Sequence, residues 1–452
     1  MIDLTTPHGV LLKSLADELS GRRERMDLLE SYYRGVNGVP VHANKVVSDA
    51  YRRLMGVARL NLARLTVEAT RERMQILGVR TSVDDSELGD TEAWRIWQAN
   101  SLDADHMLID RATLSMSRAF AMVGAVDPEI GAPVITVEDP RQVIVRHHPA
   151  RRRKVMSGLK VYVDGDFDRA VFFPEPGWVL KAHRKRNSTD VGARVTQLDM
   201  GGWDWTREPE RLPFPVVPIV EFANLAGLGS QPEGEFEAHL AALDRVTFVV
   251  LNRLELLTLQ AFRQRAIKGL PLRDPRSGEE IDYSGDFLAG PGELWQLPET
   301  AEIWESGAVD LSSVLQTEKQ DIITYAGATA TPLSYLFPDS DGGSAEGAAL
   351  KRESATFKAI DRMAQQGESY EHLMSLAFLF AGDPNRARRG SIEIIWAAAE
   401  RYTLAQKAEA AAKYAAAGVP LQTIGQTVLQ MTPPEIRRMM AEHATESLLS
   451  DA

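Results

Sequence analysis

Between residues 235 and 267 apolar side chains recur every three or four positions: Phe236, Leu240, Leu243, Val246, Val250, Leu254, Leu257 and Ala261. That spacing puts one continuous stripe on a helix. The helix expected over Glu235–Ile267 is on the order of 50 Å long at 1.5 Å rise per residue. A compact domain does not easily cover so long a stripe, and a stripe of this length usually packs on equivalent helices or crosses a layer. Two more runs read as helices. Leu311–Tyr325 is one. Ala345–Phe380 is the other, marked by Phe357, Ile360, Met363, Tyr370, Met374 and Ala377, weakened a little at Gly367 and stopped by Gly382, Asp383 and Pro384.

The rest of the chain changes period twice. The first third is helical over Leu11–Tyr33, Val46–Met74 (closed by Gly78), Glu92–Asn100 and Asp105–Val123 (closed by Gly124). Trp94 and Trp97 share a face of the third and read as core. The middle alternates and is β-branched over Val134–Glu138, Val143–Arg146, Gly158–Asp164, Arg169–Phe173, Trp178–His183 and Ala193–Met200, the pattern of one antiparallel meander packed on the helices before it. A further strand, Val216–Phe222, precedes a glycine-rich joint at Gly227, Gly229 and Gly234. Residues 270–308 form a small insert with short strands at Leu294–Leu297 and Glu302–Trp304. The tail has a strand at Ser391–Trp396 and helices at Thr403–Ala417, Leu421–Leu429 and from Pro433 to about Leu448, the last capped by Thr432. The fold class is α+β, mainly helical.

Composition narrows the function. The 452 residues carry 63 acids against 51 bases, a formal net charge of −12. Proteins that wrap nucleic acid show a basic excess, so tight wrapping is disfavoured, whereas passing contact with DNA is compatible. The absence of cysteine removes disulfides, thiolate metal sites and Cys nucleophiles and suits a reducing compartment. The N-terminus lacks the pattern of a signal peptide, and no uninterrupted apolar run is long enough to span a membrane.

No motif for chemistry emerges. The phosphate-binding G-x-x-x-x-G-K-[ST], the dinucleotide fingerprint and H-E-x-x-H are absent. Gly342–Gly347 is one residue off a nucleophile elbow and precedes a helix rather than following a strand. His147 and His148 read as a surface loop before Pro149; even on a strand they would point to opposite faces and share no metal. Arg151–Lys154 and Lys181–Arg186 are basic runs that read as solvated turn faces, with phosphate contact as the alternative. Asp339 and Asp341 beside Gly342-Gly343 fall short of a calcium loop. The C-terminal helices resemble a helix-turn-helix reader only in outline: Arg437 and Arg438 sit among Glu435, Glu442 and Glu446, which would meet phosphates badly. The most distinctive segment is the loop Thr329–Glu346, T-A-T-P-L-S-Y-L-F-P-D-S-D-G-G-S-A-E, built from turn residues around an apolar knot and suited to touching something large rather than to catalysis. No enzyme activity, cofactor or metal is expected.

The order of segments carries a resemblance. Y-Y-R-G, A-W-R-I-W-Q-A-N-S-L-D, I-T-V-E-D-P-R-Q-V-I-V, V-V-P-I-V-E-F-A-N, A-A-L-D-R-V-T-F-V-V-L-N-R, D-L-S-S-V-L-Q-T-E-K-Q-D-I-I-T-Y-A-G-A-T-A-T-P-L-S-Y-L-F and S-A-E-G-A-A-L-K-R-E-S-A-T-F-K-A-I follow one another in this chain. So arranged, the chain resembles the portal proteins of tailed bacteriophages, the head–tail connectors, and particularly those of phages of actinobacteria. The resemblance implies a dodecameric ring at a capsid vertex, a channel for double-stranded DNA in packaging and ejection without sequence preference, assembly in the host cytoplasm and residence in the virion, with no membrane. It implies as partners the large terminase subunit, a head-completion or connector protein and the major capsid or scaffolding protein. It divides the chain into a wing (1–234), a first stem helix (235–267), a short clip (268–308), a second stem helix (309–327), a tunnel loop (328–344), a long wing helix (345–381) and a crown (382–452). Ser334, Tyr335, Ser340, Gly342 and Gly343 are then the expected DNA-channel residues, and Arg263, Arg265 and Lys268 an expected basic cluster at the stem–clip junction. The rivals are a helical DNA-binding regulator using the C-terminal helices and a hydrolase, which would require a catalytic set that the sequence does not display.

Overall fold

The computed structural model describes residues 2–37, 56–84, 89–187, 192–229, 231–261, 265–271, 273–274, 276–281, 283, 302–305, 311–337, 345–400 and 402–450. The chain divides into two units: residues 1–37, 61–240 and 326–452 form the first, and residues 38–60 and 241–325 the second.

The first unit begins with α1, Pro7–Arg34, whose Thr6 hydroxyl accepts the Gly9 amide at 3.1 Å and whose end is turned by Gly35 at φ 68°. A left-handed cap of this kind favours glycine because it carries no Cβ. Helix α1 buries Leu12, Leu15 and Leu19 on Ile144, Leu159 and Phe172 of a sheet. That sheet is an antiparallel meander of β4 (Val143–His148), β5 (Arg151–Asp164), β6 (Phe167–Phe173) and β7 (Trp178–Lys185), with the short β8 (Asp204–Trp205) and β9 (Glu210–Arg211) both pairing β7. Its other face packs Val143, Val145 and Phe173 on Phe120 and Ile219 of a second, three-stranded sheet. In that sheet β2 (Arg118–Asp127) lies between β10 (Ile219–Ala223) and β3 (Ala132–Glu138). Alternate residues of the meander thus enter two different cores, which is why the period-two pattern of the sequence is strong there.

The largest core gathers α3 (Thr91–Ala99), α4 (Leu102–Met116), β2, β3, β10, the C-terminal half of α7 (Ala345–Phe380) and the pair formed by β1 (Ile76–Thr81) and β13 (Ile392–Trp396). Trp97 and Tyr370 are fully buried at its centre, with ring centroids 6.0 Å apart. Trp94 stacks on Trp97, as the shared face predicted. The tail adds α8 (Leu404–Ala416), closed by a Thr403/Gln406 capping box, α9 (Leu421–Ile424), a π turn over Gly425–Leu429, and α10 (Pro433–Ser450). At the start of α10 the Thr432 amide donates to Glu435 at 2.8 Å.

In the second unit α5 (Leu240–Ala261) and α6 (Ser312–Ala328, of which 312–325 belong here) are joined by ion pairs Arg245–Asp321 at 3.0 Å and Arg253–Glu318 at 3.1 Å. Val246, Val250, Leu251 and Ile322 are buried. Strand β11 (Arg265–Lys268) pairs antiparallel with β12 (Glu302–Glu305).

Several expectations are corrected. The first long helix is preceded by a 3₁₀ turn at Glu237–His239 and stops at Ala261, so its 22 residues span ~33 Å, and Arg265–Ile267 are strand. The helix expected over Val46–Met74 is described only in part: α2 runs Leu62–Arg71 with Asn61 as its cap, and Gly78 lies inside β1 rather than closing a helix. The helix expected to Val123 ends at Met116, where Ser117 takes φ 71°, and the residues that follow it are the central strand β2. Ala193–Met200 pairs with no strand among the described residues; it buries Val195, Leu198 and Met200 in irregular conformation. The single meander is two sheets. His147 and His148 lie on β4, and Arg151–Lys154 are the first residues of β5 rather than a turn. Leu294–Leu297 lies outside the described residues.

Candidate functional site

The foot of the loop that begins at Thr329 is built by three elements of the first unit. After α6 the chain turns at Ala330, a non-glycine residue at φ 51°, and the Thr331 amide donates to the Ala326 carbonyl at 2.8 Å. Thr329 and Thr331 are buried; their hydroxyls lie 2.8 Å apart, and that of Thr331 lies 3.1 Å from Thr66 on α2. Pro332 then sets an extended backbone that leads into a 3₁₀ turn, Leu333–Tyr335. The Leu336 and Phe337 amides close the turn on the Leu333 carbonyl at 2.9 and 2.7 Å.

Lys358 on α7 holds the other side. Its ammonium donates to the Thr329 carbonyl at 2.9 Å and pairs with Glu235 at 2.8 Å. Arg362, one turn further along α7, pairs with Glu235 at 2.5 Å, and the Asn224 amide donates to the same carboxylate at 3.0 Å. Glu235 reaches this place because Gly234 has no side chain: a Cβ there would sit 2.6 Å from the Ser115 carbonyl oxygen. The Glu235 amide then bonds the Leu114 carbonyl at 2.8 Å. Burial opposes the charge of Glu235, but Lys358 and Arg362 outweigh it and hold the carboxyl below its ordinary range. Burial also pulls Lys358 down, countered by Glu235. A buried ion triad therefore fixes the segment from which the loop leaves.

Of the expected DNA-contacting residues, Ser334 and Tyr335 are in the 3₁₀ turn at this foot. Ser334 is half-buried, and the Tyr335 hydroxyl donates to Glu72 at 3.0 Å. Ser340, Gly342 and Gly343 lie outside the described residues, as do Asp339 and Asp341. The basic cluster is rearranged. Arg263 lies outside the described residues, while Arg265 and Lys268 are on β11, opposite Glu305 and Glu302 in register. Positions three apart share a side on a helix but not on a strand, so the helical spacing that would gather them does not apply.

The remaining candidates resolve individually. Lys181 pairs with Glu210 at 3.1 Å, and Arg184 and Arg186 converge on the buried Asp168 at 2.6 and 3.3 Å, so three of the run's four cations are engaged within the fold. His147 lies 3.5 Å from Glu221, and His148 accepts the Ala150 amide at 3.1 Å. On α10 Arg438 sits 3.6 Å from Glu442. Among the described residues no group of acids and histidines is placed to hold a metal ion, and no helix is long and apolar enough to cross a membrane. Sequence reasoning missed Glu235, Lys358 and Arg362. Lys358 and Arg362 are four apart on α7, a spacing that reads as a solvated face; only the approach permitted by Gly234 turns it inward.

Comparison with known proteins places the chain in a family. A model of the family described as phage portal protein, SPP1 Gp6-like, matches residues 12–447. The portal protein of Mycobacterium phage D29 is 26% identical over 387 residues, covering 79% of this chain and 72% of that protein. That of Mycobacterium phage L5 is 25% identical over 387 residues, with the same coverage of 79% and 72%. A chain in the neck of a native GTA particle, computed with C12 symmetry, aligns over 87% of this chain and 95% of that one, at 13% identity and a TM-score of 0.44. With the family's pattern running through both units, the chain belongs to the SPP1 Gp6-like phage portal proteins.

Proposed function

We propose that this portal protein assembles as a dodecameric ring at one capsid vertex and conducts double-stranded DNA, without sequence preference, during packaging and ejection. The observation that carries this reading is the family match from residue 12 to residue 447, which leaves little of the chain for another role. The role is structural; movement of DNA is powered by a partner, the large terminase subunit, which docks on the ring and later gives way to a head-completion or connector protein. Contact with the major capsid or scaffolding protein seats the ring, the subunit assembles in the host cytoplasm, and the finished ring resides in the virion. Residues 1–234 are the wing, 235–267 the first stem helix region, 268–308 the clip, 309–327 the second stem helix, 328–344 the tunnel loop, 345–381 the long wing helix and 382–452 the crown.

In this reading the loop touches the duplex through Ser334, Tyr335, Ser340, Gly342 and Gly343. The buried ion triad and the threonine hydroxyls hold the root of this loop in a fixed place. The acidic balance of −12 suits a conduit, because a wall that does not hold phosphates lets them slide. Arg263, Arg265 and Lys268 are a secondary contact, tempered by Glu302 and Glu305 opposite two of them. Deleting residues 338–343 tests the loop: negative-stain microscopy is expected to show intact rings with a central hole, while the yield of DNA-filled particles collapses. Normal infectious yield from the deletion would overturn the role of the loop, and purified protein that forms no ring would overturn the assembly itself.

A further inference from the structure

Strand β5 begins with Arg151, Arg152, Arg153 and Lys154, all exposed. Regular alternation would send two of them to each face of the sheet. The pairing with β4 breaks at this point: His147 stands opposite Val155, but His148 stands opposite Arg151, so three basic residues have no partner position on β4. Such a bulge bends the strand and re-aims its side chains. All four line one cleft of about 490 Å³, together with Arg389, which follows α7. The floor is apolar, made by Val155, Pro176, Pro215 and Val216, with His372 of α7 at its side.

The cations are under-neutralised. Glu368 pairs with Arg153 and lies 3.8 Å from Arg389. Arg151, Arg152 and Lys154 have no ionic partner among the described residues. Burial lowers the Arg389 guanidinium from its ordinary range, and the charge of Arg153 lowers it further. His372 is pushed down to about 4, first by burial and then by Arg389 and His147, so it adds no positive charge at neutral pH. This concentration of positive charge stands on a chain of net charge −12.

We propose that this cleft is a docking site for an acidic protein segment that carries an apolar side chain, with the carboxylates on the Arg151–Lys154 rim and the apolar group on the Pro176–Pro215–Val216 floor. Charge complementarity names the acid, and the floor selects a peptide over nucleic acid. A duplex would meet the same rim with phosphates and leave the prolines and valines uncovered. The inference is independent of the DNA-channel reading, since no residue of the 328–344 loop takes part.

The test uses the full chain, a fluorescein-labelled peptide of glutamates carrying two leucines, the same peptide with serines for the leucines, and a short labelled DNA duplex, all followed by anisotropy. The expected result is that the leucine peptide binds, and that the exposed triple variant Arg151→Ala, Arg152→Ala, Lys154→Ala weakens it about tenfold. The serine peptide should bind several-fold more weakly than the leucine peptide. The variant should leave any duplex binding unchanged. Should the triple variant not fold, Arg152→Glu alone is expected to weaken the peptide about threefold or more. Equal binding of the leucine peptide by wild type and variant overturns the proposal. So does equal binding of the two peptides, or a duplex that binds more tightly than the peptide and is lost in the variant, which would make the cleft a phosphate site.

Discussion

Asp110 is an ionisable group held deep in the first unit. It is fully buried on α4, where the Tyr370 hydroxyl donates to one carboxyl oxygen at 2.7 Å and the other oxygen has no hydrogen-bond partner among the described residues. Burial lifts its carboxyl to about 7, only partly countered by Tyr370, Arg71 and Arg111. The folded state therefore keeps this proton while the unfolded chain loses it near the ordinary aspartate value, so the stability Asp110 contributes is full in acid and is lost as pH rises towards about 7. His372 works in the other direction: held down to about 4, it resists a proton that the unfolded chain takes up, so its contribution is lost as pH falls. The two partly cancel in the wild-type profile, so the difference from Asp110→Asn is the quantity to measure. The asparagine keeps an acceptor for Tyr370 and removes the titration. The variant is expected to gain stability over wild type as pH rises from about 4 to about 7, by at most ~4 kcal/mol for a shift of this size. Denaturant titrations across that range would read it, and a difference that stays flat with pH would mean that Asp110 does not carry the proton.

At the scale of elements, the ion triad ties α7 to the loop foot and to the turn before α5. Lys358→Met removes the donor to the Thr329 carbonyl and leaves Glu235 with Arg362 and the Asn224 amide. Because Glu235 keeps Arg362, the loss is that of one buried charge-assisted contact and an unmet carbonyl, about 1–3 kcal/mol, and Glu235→Gln in the same chain should add to it rather than restore it, since it takes the buried carboxylate from Arg362. Amide exchange is the sharper readout: the Thr331, Leu336 and Phe337 amides should exchange faster in Lys358→Met, while those of β6 and β7 stay protected. Unchanged exchange at the foot would show that Lys358 does not hold it. The triad was not legible beforehand because burial of a helical Lys/Arg pair depends on a tertiary approach. Local signals served much better. Helix α7 has the bounds read from its sequence, Ala345–Phe380, and α10 begins at the Pro433 that Thr432 announces. Errors fell where local pattern and tertiary context disagree. Apolar Ala119–Val123 continues a helical rhythm, yet Ser117 reverses the backbone and places these residues at the centre of a sheet. The helix expected to Ile267 stops at Ala261 and Arg265–Ile267 are strand, because β12, distant in the chain, supplies a ladder that propensity cannot foresee. Of the candidate site, Ser334 and Tyr335 lie in a 3₁₀ turn at the loop's foot, while the residues that anchor that foot were not legible in the sequence.

For the whole molecule, the apolar stripes that first argued for an assembly are only partly covered within one chain. On α7 the buried side runs through Ala355, Ala359, Met363 and Tyr370, whereas Phe357 and Ile360, read from sequence as marks of the same helix, are 62% and 48% exposed. They are three apart and so form one patch on the helix surface. In the second unit Phe248 and Leu257 on α5 are 50% and 44% exposed. In the proposed ring, large apolar groups left open are the expected anchors between copies, since a heterologous ring would repeat each contact at every interface. Replacing Phe357 and Ile360 together with Asp separates folding from assembly. Both sites are exposed, so the subunit should lose no more than about 1 kcal/mol, mainly through helix propensity. At an interface the same change buries two carboxylates without partners, a cost of several kcal/mol per contact that recurs around the ring. If the proposed ring forms, sedimentation velocity should show the wild type as a ring and the variant as monomers and small oligomers under the same conditions, with far-ultraviolet circular dichroism unchanged. Rings of normal size from the doubly substituted chain would place the subunit contact elsewhere and leave the Phe357–Ile360 patch without an assembly role.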